Sequence, residues 1–257
     1  MNAREQYYAF MTILRKEIRR YLRIWTQTLL PSAITMSLYF VIFGTLIGSR
    51  IGEMDGFSYM QFVVPGLIMM AIVTNSYSNV VSSFFGSKFN HSVEELLVSP
   101  VPNYIILMCY VLGGVTRGLA VAVLVTVVSL FFADLSIYSY WVVVLVVLMT
   151  STLFALGGFI NAVFANSFDD ISIVPTFVLT PLIYLGGVFY SMDLLPEFWA
   201  NVSKLNPLVY VVNAFRYGVL GVSDVSLPFA IAMIALFTVV AFAYSMYLLN
   251  TGKRLRQ

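Results

Sequence analysis

Long, uninterrupted apolar runs dominate the sequence and predict membrane-spanning helices. Six segments contain the roughly 20 mainly apolar residues that a helix needs to cross a bilayer. Because lipid offers no partners for backbone amides, such segments must be helical rather than extended. The pattern therefore predicts an all-α, polytopic membrane protein with six transmembrane helices. The predicted spans are residues 25–48, 61–85, 104–132, 141–164, 171–189 and 227–250.

The fifth of these segments is the least regular. It contains Pro175 and Pro181 as well as the pair Gly186 and Gly187. Since proline lacks the amide hydrogen that a helix interior uses, we expect this helix to be kinked or broken. Such a helix should face protein or a cavity rather than bulk lipid.

Lysine and arginine are distributed unevenly between the two sides of these spans. Ten of the 14 fall on one side, three fall on the other, and Arg117 lies within the third span, from which it is expected to reach the inner interface. Cytoplasmic loops carry an excess of these residues, so both termini are predicted to be cytoplasmic. The larger group comprises Arg4, Arg15, Lys16, Arg19, Arg20, Arg23, Lys88, Lys253, Arg254 and Arg256.

The composition supports a membrane protein. Of the 257 residues, 60% are hydrophobic and 10% are charged, whereas a soluble domain carries about 25% charged residues. The single cysteine, Cys109, lies in an apolar run and is expected to be a small core residue. Basic residues cluster only where membrane topology accounts for them, so nucleic-acid binding has no support.

Residues 1–24 are expected to form a cytoplasmic amphipathic helix. Apolar and aromatic residues recur at helical spacing from Tyr7 to Trp25, and the cations fall off this stripe. A helix of this kind suits the inner membrane interface, where anionic headgroups attract its cations. A plain membrane anchor is the favoured interpretation, and a docking surface for a cytoplasmic partner is compatible with it. The cations are Arg15, Lys16, Arg19, Arg20 and Arg23.

The cytoplasmic loop after the second span contains the segment "VEELLVSPVP", which predicts a short capped helix over residues 93–98. Ser92 and Glu95 have the spacing of a capping box, and Glu94 adds a second acid to the first turn. Pro100 and Pro102 end the helix.

This short helix has no obvious core of its own. Leu96, Leu97 and Val98 lie in a loop outside the membrane, and an exposed apolar cluster bordered by charge usually marks an interaction site. The alternative is a loop helix that folds back on the ends of the spans.

Residues 190–226 form the external segment before the last span and predict two short helices. Pro196 suits a first helical position, and apolar residues follow it at helical spacing. The second helix begins after Asn206 and Pro207 and continues through "LVYVVNAFRYGVLG". Both are too short and too polar to span, so we expect them at the outer interface or partly re-entrant.

The sequence contains no catalytic constellation. No G-x-x-x-x-G-K-[ST] phosphate loop is present, and Gly252-Lys253-Arg254 lacks both the hydroxyl residue and the first glycine. The lone histidine, His91, makes a metal site improbable. Buried carboxylates that would relay ions are also lacking in the spans. The chain is therefore predicted not to be an enzyme, and energy for uphill transport would have to come from another subunit.

With these features together, the chain resembles permeases of the ABC-2 family over essentially its whole length. The family shows E-L-L-x-[SA]-P-V after the second span, which residues 94–101 match. It also shows N-P-[LIV]-x-Y followed by an aromatic–arginine pair before the last span. Small inner-membrane permeases of proteobacteria are a similar branch. The residues that match the external motif are Asn206, Pro207, Tyr210, Phe215 and Arg216.

The resemblance implies one ABC-2 type transmembrane domain over residues 1–257, in a bacterial inner membrane. Its parts are the amphipathic helix (1–24), the six-span region (25–250) and a cytoplasmic tail (251–257). Two permease copies would form a homodimer with two separate ATPase chains. ATP and Mg would bind to that partner, so no cofactor is expected in this chain.

The resemblance also implies residue roles. The short cytoplasmic helix would be a coupling helix that inserts into the ATPase, flanked by the amphipathic helix with Arg15, Lys16, Arg19 and Arg20. Spans one, two and five would line the pathway of the dimer, and the external helices would cap it. The cargo would be lipid- or glycan-related, or drug-like. The implied coupling residues are Ser92, Glu94, Glu95, Leu96, Leu97, Val98 and Pro100.

Two other functions remain open from the residues alone. One is a stand-alone transporter or channel, which would need polar relays or a self-contained pore within the spans. The other is a membrane scaffold subunit that is not coupled to ATP. An ATPase partner would distinguish the ABC exporter from both.

Overall fold

A computed structural model describes residues 1–252 of the protein, and within them the chain is almost entirely helical, as the sequence predicts. The predicted tail beyond Gly252, with Lys253, Arg254 and Arg256, lies outside the described residues. The helices of the first half are α1 (Ala3–Arg23), α2 (Trp25–Thr28), α3 (Leu30–Val41), α4 (Gly48–Ile51), α5 (Tyr59–Phe89) and α6 (Ser92–Val98). Those of the second half are α7 (Asn103–Ser129), α8 (Tyr140–Phe164), α9 (Asp170–Val174), α10 (Thr180–Tyr184), α11 (Glu197–Ser203), α12 (Pro207–Leu220) and α13 (Leu227–Thr251).

Short irregular elements join some of these helices. A π-helical turn, Ile42–Ile47, connects α3 to α4, and a second one, Pro175–Leu179, connects α9 to α10. A two-stranded antiparallel ribbon pairs β1 (Glu53–Met54) with β2 (Phe57–Ser58). Both residues of its turn, Asp55 and Gly56, have positive φ, which suits a tight hairpin.

Five helices in the described part of the chain are long and apolar enough to cross a membrane, so the protein is a polytopic, all-α membrane protein. They coincide with the predicted spans at 25–48, 61–85, 104–132, 141–164 and 227–250. The second is longer than predicted, because Ser58 caps its start by accepting a hydrogen bond from the Gln61 amide. The five are Trp25–Gly44, Tyr59–Phe89, Asn103–Ser129, Tyr140–Phe164 and Leu227–Thr251.

The predicted fifth span is shorter than residues 171–189. The apolar helix there is Asp170–Tyr184, which at 1.5 Å per residue covers about 22 Å of a roughly 30 Å hydrocarbon layer. The predicted irregularity is present as the π-helical turn at Pro175. The helix ends early because Gly187, at φ 73°, reverses the chain.

α5 is the centre of the bundle and is buried along most of its length, between α7 and α8. Glycines let these helices approach closely: a Cβ at Gly158 would overlap the Tyr77 carbonyl, and one at Gly114 would lie 2.7 Å from Val80. Small residues at helix contacts are a usual means of packing in membranes. The outer faces of α3 and α13, by contrast, are largely exposed.

Candidate functional site

The short cytoplasmic helix is present as α6, Ser92–Val98, one residue longer than predicted. Its predicted capping box is wrong. His91 occupies the N-cap position with φ 58°, so Ser92 is already helical and its hydroxyl donates to the Ser87 carbonyl over 3.0 Å. Ser99 adopts an extended conformation before Pro100, which ends the helix as predicted.

Most of the apolar side of α6 is covered by the chain itself. Val93 is buried, and Leu96 and Leu97 pack partly against the core formed by the span ends. The predicted exposed cluster of Leu96, Leu97 and Val98 is therefore wrong for the two leucines, and only Val98 is exposed, at 87%. The sequence could not show this, because the covering residues come from other helices.

One edge of α6 is exposed to solvent. His91, Glu95 and Val98 recur at helical spacing and are exposed, and Pro100 continues the same surface. We call these four residues the α6 outer edge. Glu94 is turned toward His91, with its Oε1 3.4 Å from the Nδ1 of the imidazole.

α1 lies beside α6 and shares a groove with it. The groove has a volume of about 310 Å³ and is open to solvent. Below it, Ile13 of α1 packs with Ile105 and Cys109 of α7, so the predicted core position of Cys109 is confirmed. The two segments predicted to be cytoplasmic, α1 and α6, therefore form one surface. The groove is lined by Thr12, Ile13, Lys16, Ser92, Glu95 and Leu96.

Three of the four predicted interface cations of α1, Arg15, Lys16 and Arg19, are exposed, and Arg20 is not. Arg20 is partly buried, and its Nη2 donates to both the carbonyl and the Oδ1 of Asn79 over 2.8 Å. The prediction that Arg20 faces headgroups is wrong because its side chain turns to α5, where Asn79 accepts its hydrogen bonds.

Glu17 was not identified from the sequence as a site residue, yet it is fully buried beside Arg20. Its Oε2 accepts a hydrogen bond from Ser83 over 2.5 Å and lies 3.7 Å from the Arg20 Nε. Burial raises the pKa of the Glu17 carboxyl, whereas the Ser83 hydrogen bond and the charge of Arg20 act to lower it. Burial likewise lowers the pKa of Arg20, and Glu17 acts to raise it. The sequence contains one signal of this burial: Glu17 lies four residues after Ile13 and four before Tyr21, so it shares a helical face with these two apolar residues.

Two further cations are buried. Lys88, which the charge count placed in the loop after the second span, lies in the last turn of α5, and its Nζ donates to the carbonyls of Val163 (2.9 Å) and Ala165 (2.8 Å). This contact caps the C-terminus of α8. Arg117 is buried within the bundle, where its Nη2 donates to the Thr28 carbonyl and to Oδ1 of Asn75.

The external motif surrounds the start of α12. Asn206 is the N-cap, since its Oδ1 accepts from the Leu208 amide over 2.9 Å, and Pro207 is the first helical residue. The Nδ2 of Asn206 also donates to the Leu182 carbonyl of α10 over 2.6 Å. Tyr210 donates to the Lys204 carbonyl from its hydroxyl.

α12 lies inside the bundle, where twelve of its 14 residues are buried, and packs against α5, α8 and α13. Phe215 lies in the core. Arg216, which the charge count placed with the external cations, is fully buried. Its Nη2 donates to the Gly187 carbonyl over 2.7 Å, and its guanidinium lies 3.8 Å from the Phe62 ring centroid. Together with Asn206, Arg216 ties α12 to the chain reversal after α10.

Comparison with known proteins identifies the family. A sequence profile described as ABC-2 type transporter matches residues 8–220. The chain belongs to the ABC-2 type transporter family. This match covers both α6 and α12, so the family expected from the two motifs is confirmed.

The ABC-2 chain also has close and distant relatives. It is 57% identical over 248 residues to the inner membrane transport permease YadH of Escherichia coli K12, covering 96% of this chain and 97% of that protein. It is 23% identical over 246 residues to nodulation protein J of Rhizobium meliloti strain 1021, covering 94% of this chain and 92% of that protein. Both similarities extend over nearly the full length of this chain and of the relative.

Proposed function

We propose that this ABC-2 permease is the transmembrane subunit of an exporter that a separate ATPase subunit powers. The observation that carries the proposal is the α6 outer edge, which is exposed beside the groove that α6 shares with α1. Exposed apolar surface bordered by charge is typical of an interaction site. The sequence contains no phosphate loop of its own, so a nucleotide-binding partner supplies what the chain lacks.

α6 is attached firmly enough to transmit a movement. Val93, on the inner side of α6, is buried, and the Ser92 hydroxyl is hydrogen-bonded to the Ser87 carbonyl near the end of α5. Lys88, next to Ser87, binds the end of α8. A displacement of α6 by the ATPase therefore reaches the cytoplasmic ends of α5 and α8 through direct contacts. Of the implied coupling residues, Glu95, Val98 and Pro100 contact the partner, and Ser92, Leu96 and Leu97 hold the helix in place.

The working unit in this proposal is a homodimer with two ATPase chains that bind ATP and Mg. ATP binding draws the two α6 helices together and biases the permease dimer toward its outward-open state. By linkage, a cargo that prefers one permease state changes ATP turnover in return. An amphipathic cargo, lipid- or glycan-related or drug-like, is the class that the family resemblance implies.

The proposed topology has six spans, with both termini in the cytoplasm of a bacterial inner membrane. Asp170–Tyr184 is the fifth span, and α11 and α12 form an external re-entrant pair that caps the pathway. The position of Pro207, the first residue of α12, supports this arrangement. It lines a groove with Gly157 of α8 and Tyr244 of α13, and both of these residues lie well inside the spanning helices rather than at their ends. The 57% identical relative is an inner membrane transport permease, which supports a location in the inner membrane.

The coupling proposal is tested with Glu95→Lys combined with Val98→Asp. The tagged permease is purified from its native membrane, and the ATPase activity that co-purifies is measured. We expect about a tenfold loss or more, since truncating or reversing central interface residues costs about 2 kcal/mol. The matched control is Glu197→Lys with Leu205→Asp, an exposed acid and an exposed apolar residue in and beside α11. The proposal fails if no ATPase co-purifies with the unmodified protein, or if both double variants lose activity equally. Either outcome would favour a stand-alone transporter or a scaffold subunit.

A further inference from the structure

A concave surface on α1 gathers four of its cations. The concavity has a volume of about 760 Å³ and is lined by Lys16, Arg19, Arg20 and Arg23, with Leu22 as its one apolar residue. It lies toward the C-terminal end of α1 and meets the groove that α1 shares with α6 at Lys16, which lines both.

The positive charge of this concavity is poorly neutralised by the protein. Glu17, the nearby acid, points into the bundle and accepts from Ser83. Arg20 is held against α5 by Asn79 and forms a fixed wall. The exposed guanidiniums of Arg19 and Arg23 have neither a hydrogen-bond acceptor nor an acidic partner among residues 1–252. An anion that enters therefore meets the donors of Arg19 and Arg23 without a competing acceptor.

The position of the concavity indicates where that anion comes from. The first span begins at Trp25, two residues after Arg23, so the concavity lies at the boundary of the hydrocarbon layer. Leu22, Ile24 and Trp25 are exposed there, as expected of side chains in contact with lipid. Farther along, Leu30, Ile34 and Leu38 form an exposed apolar stripe on α3 at i, i+4 and i+8.

We propose that this concavity binds the phosphate headgroup of one anionic phospholipid, whose acyl chains lie along the apolar stripe of α3. Arginine matches phosphate with paired, charge-assisted hydrogen bonds, and the stripe accounts for the apolar part of the ligand. A free phosphate ion would make no use of the stripe, and neither would an acidic protein surface. The site requires neither an ATPase nor a cargo, so it goes beyond the exporter function and is independent of it.

The test measures lipid binding to the purified full-length permease by native mass spectrometry, with phosphatidylglycerol and phosphatidylethanolamine as probes. We expect one phosphatidylglycerol to be retained in preference to phosphatidylethanolamine. Arg19→Gln combined with Arg23→Gln should weaken this binding about 30-fold, because each basic residue near an anionic surface contributes roughly a factor of five. Both residues are exposed, so folding should be unaffected, and elution as a single species checks this.

Matched controls give the test its specificity. Arg4→Gln combined with Arg15→Gln removes the same charge from α1 outside the concavity and should leave binding unchanged. Glycerol phosphate, which carries the headgroup without acyl chains, should fail to displace the lipid at equal concentration. The proposal is overturned if the two lipids bind equally, if the control variant loses the lipid to the same extent, or if glycerol phosphate competes as well as the lipid does. None of these outcomes bears on ATPase coupling.

Discussion

Ser83 of α5 donates a hydrogen bond to the buried carboxylate of Glu17 on α1, across 66 positions of sequence. The contact fastens the amphipathic helix to the most buried span of the bundle. Gly113 makes room for it, because a Cβ there would lie 2.8 Å from that of Glu17. α1 is therefore packed against the transmembrane bundle through a specific polar contact in addition to its position at the interface.

Glu17→Gln should make the protein more stable at neutral pH and less sensitive to pH. Burial raises the pKa of Glu17 above its ordinary 4.5, so above about pH 4.5 the folded chain binds more proton at this carboxyl than the unfolded chain does, until the pH passes the raised pKa. Raising the pH from about 4.5 upward therefore lowers the free energy of unfolding. The glutamine variant has no carboxyl to ionise, so it should not show this loss of stability, and its amide oxygen can still accept the hydrogen bond from Ser83. Thermal midpoints of both proteins in detergent, measured between about pH 5 and 8, check the prediction.

Two comparisons make this result specific to the buried carboxyl. Glu197→Gln neutralises an exposed acid and should reproduce the wild-type pH dependence. Glu17→Ala leaves Ser83 and Arg20 without their partner and should lower stability by about 1–3 kcal/mol. A glutamine variant with unchanged pH dependence would contradict the prediction.

Lys88→Met should destabilise the cytoplasmic end of the bundle. The substitution keeps an apolar stem but removes the ammonium that binds two carbonyls at the end of α8. Leaving buried acceptors without partners costs about 1–3 kcal/mol. The measurement is the free energy of unfolding in denaturant. Arg15→Met removes an exposed cation and should change the free energy of unfolding by no more than about 0.5 kcal/mol. If both variants lose the same free energy of unfolding, Lys88 does not stabilise the protein by capping α8.

The sequence predicted the spans well and the polar contacts between them poorly. Apolar length is a local property, so five spans and the α6 helix could be placed from their own residues. The hydrogen-bond acceptors or donors that Glu17, Arg20 and Lys88 meet lie more than 55 positions away, and helical periodicity alone assigned Arg20 to headgroups. The capping box failed because His91 takes a left-handed conformation that shifts the start of α6 by one residue.

Gly66→Ala and Gly86→Ala should have opposite effects although both lie in α5. A Cβ at Gly66 would lie 2.5 Å from the Val188 carbonyl oxygen, in the chain reversal that Arg216 also binds, whereas one at Gly86 meets nothing within 4 Å. The first substitution should therefore cost about 1–3 kcal/mol through overpacking. The second should stabilise by up to about 1 kcal/mol through helix propensity. Denaturant unfolding of the pair checks both signs, and a tolerated Gly66→Ala would show that the reversal can move away from α5.

Cysteine labelling should place α6 and α11 on opposite sides of the membrane. Between them lie α7, α8 and the short helix Asp170–Tyr184, so three crossings separate the two sites if the short helix spans and two if it does not. Cys109 is the single cysteine and is buried, so the unmodified protein provides a low background. Glu95→Cys and Glu197→Cys both introduce exposed thiols. With a membrane-impermeant maleimide, Glu197→Cys should react in intact cells and Glu95→Cys only in inverted vesicles. Reaction of both from the same side would show that Asp170–Tyr184 does not cross, and would reduce the permease to five spans.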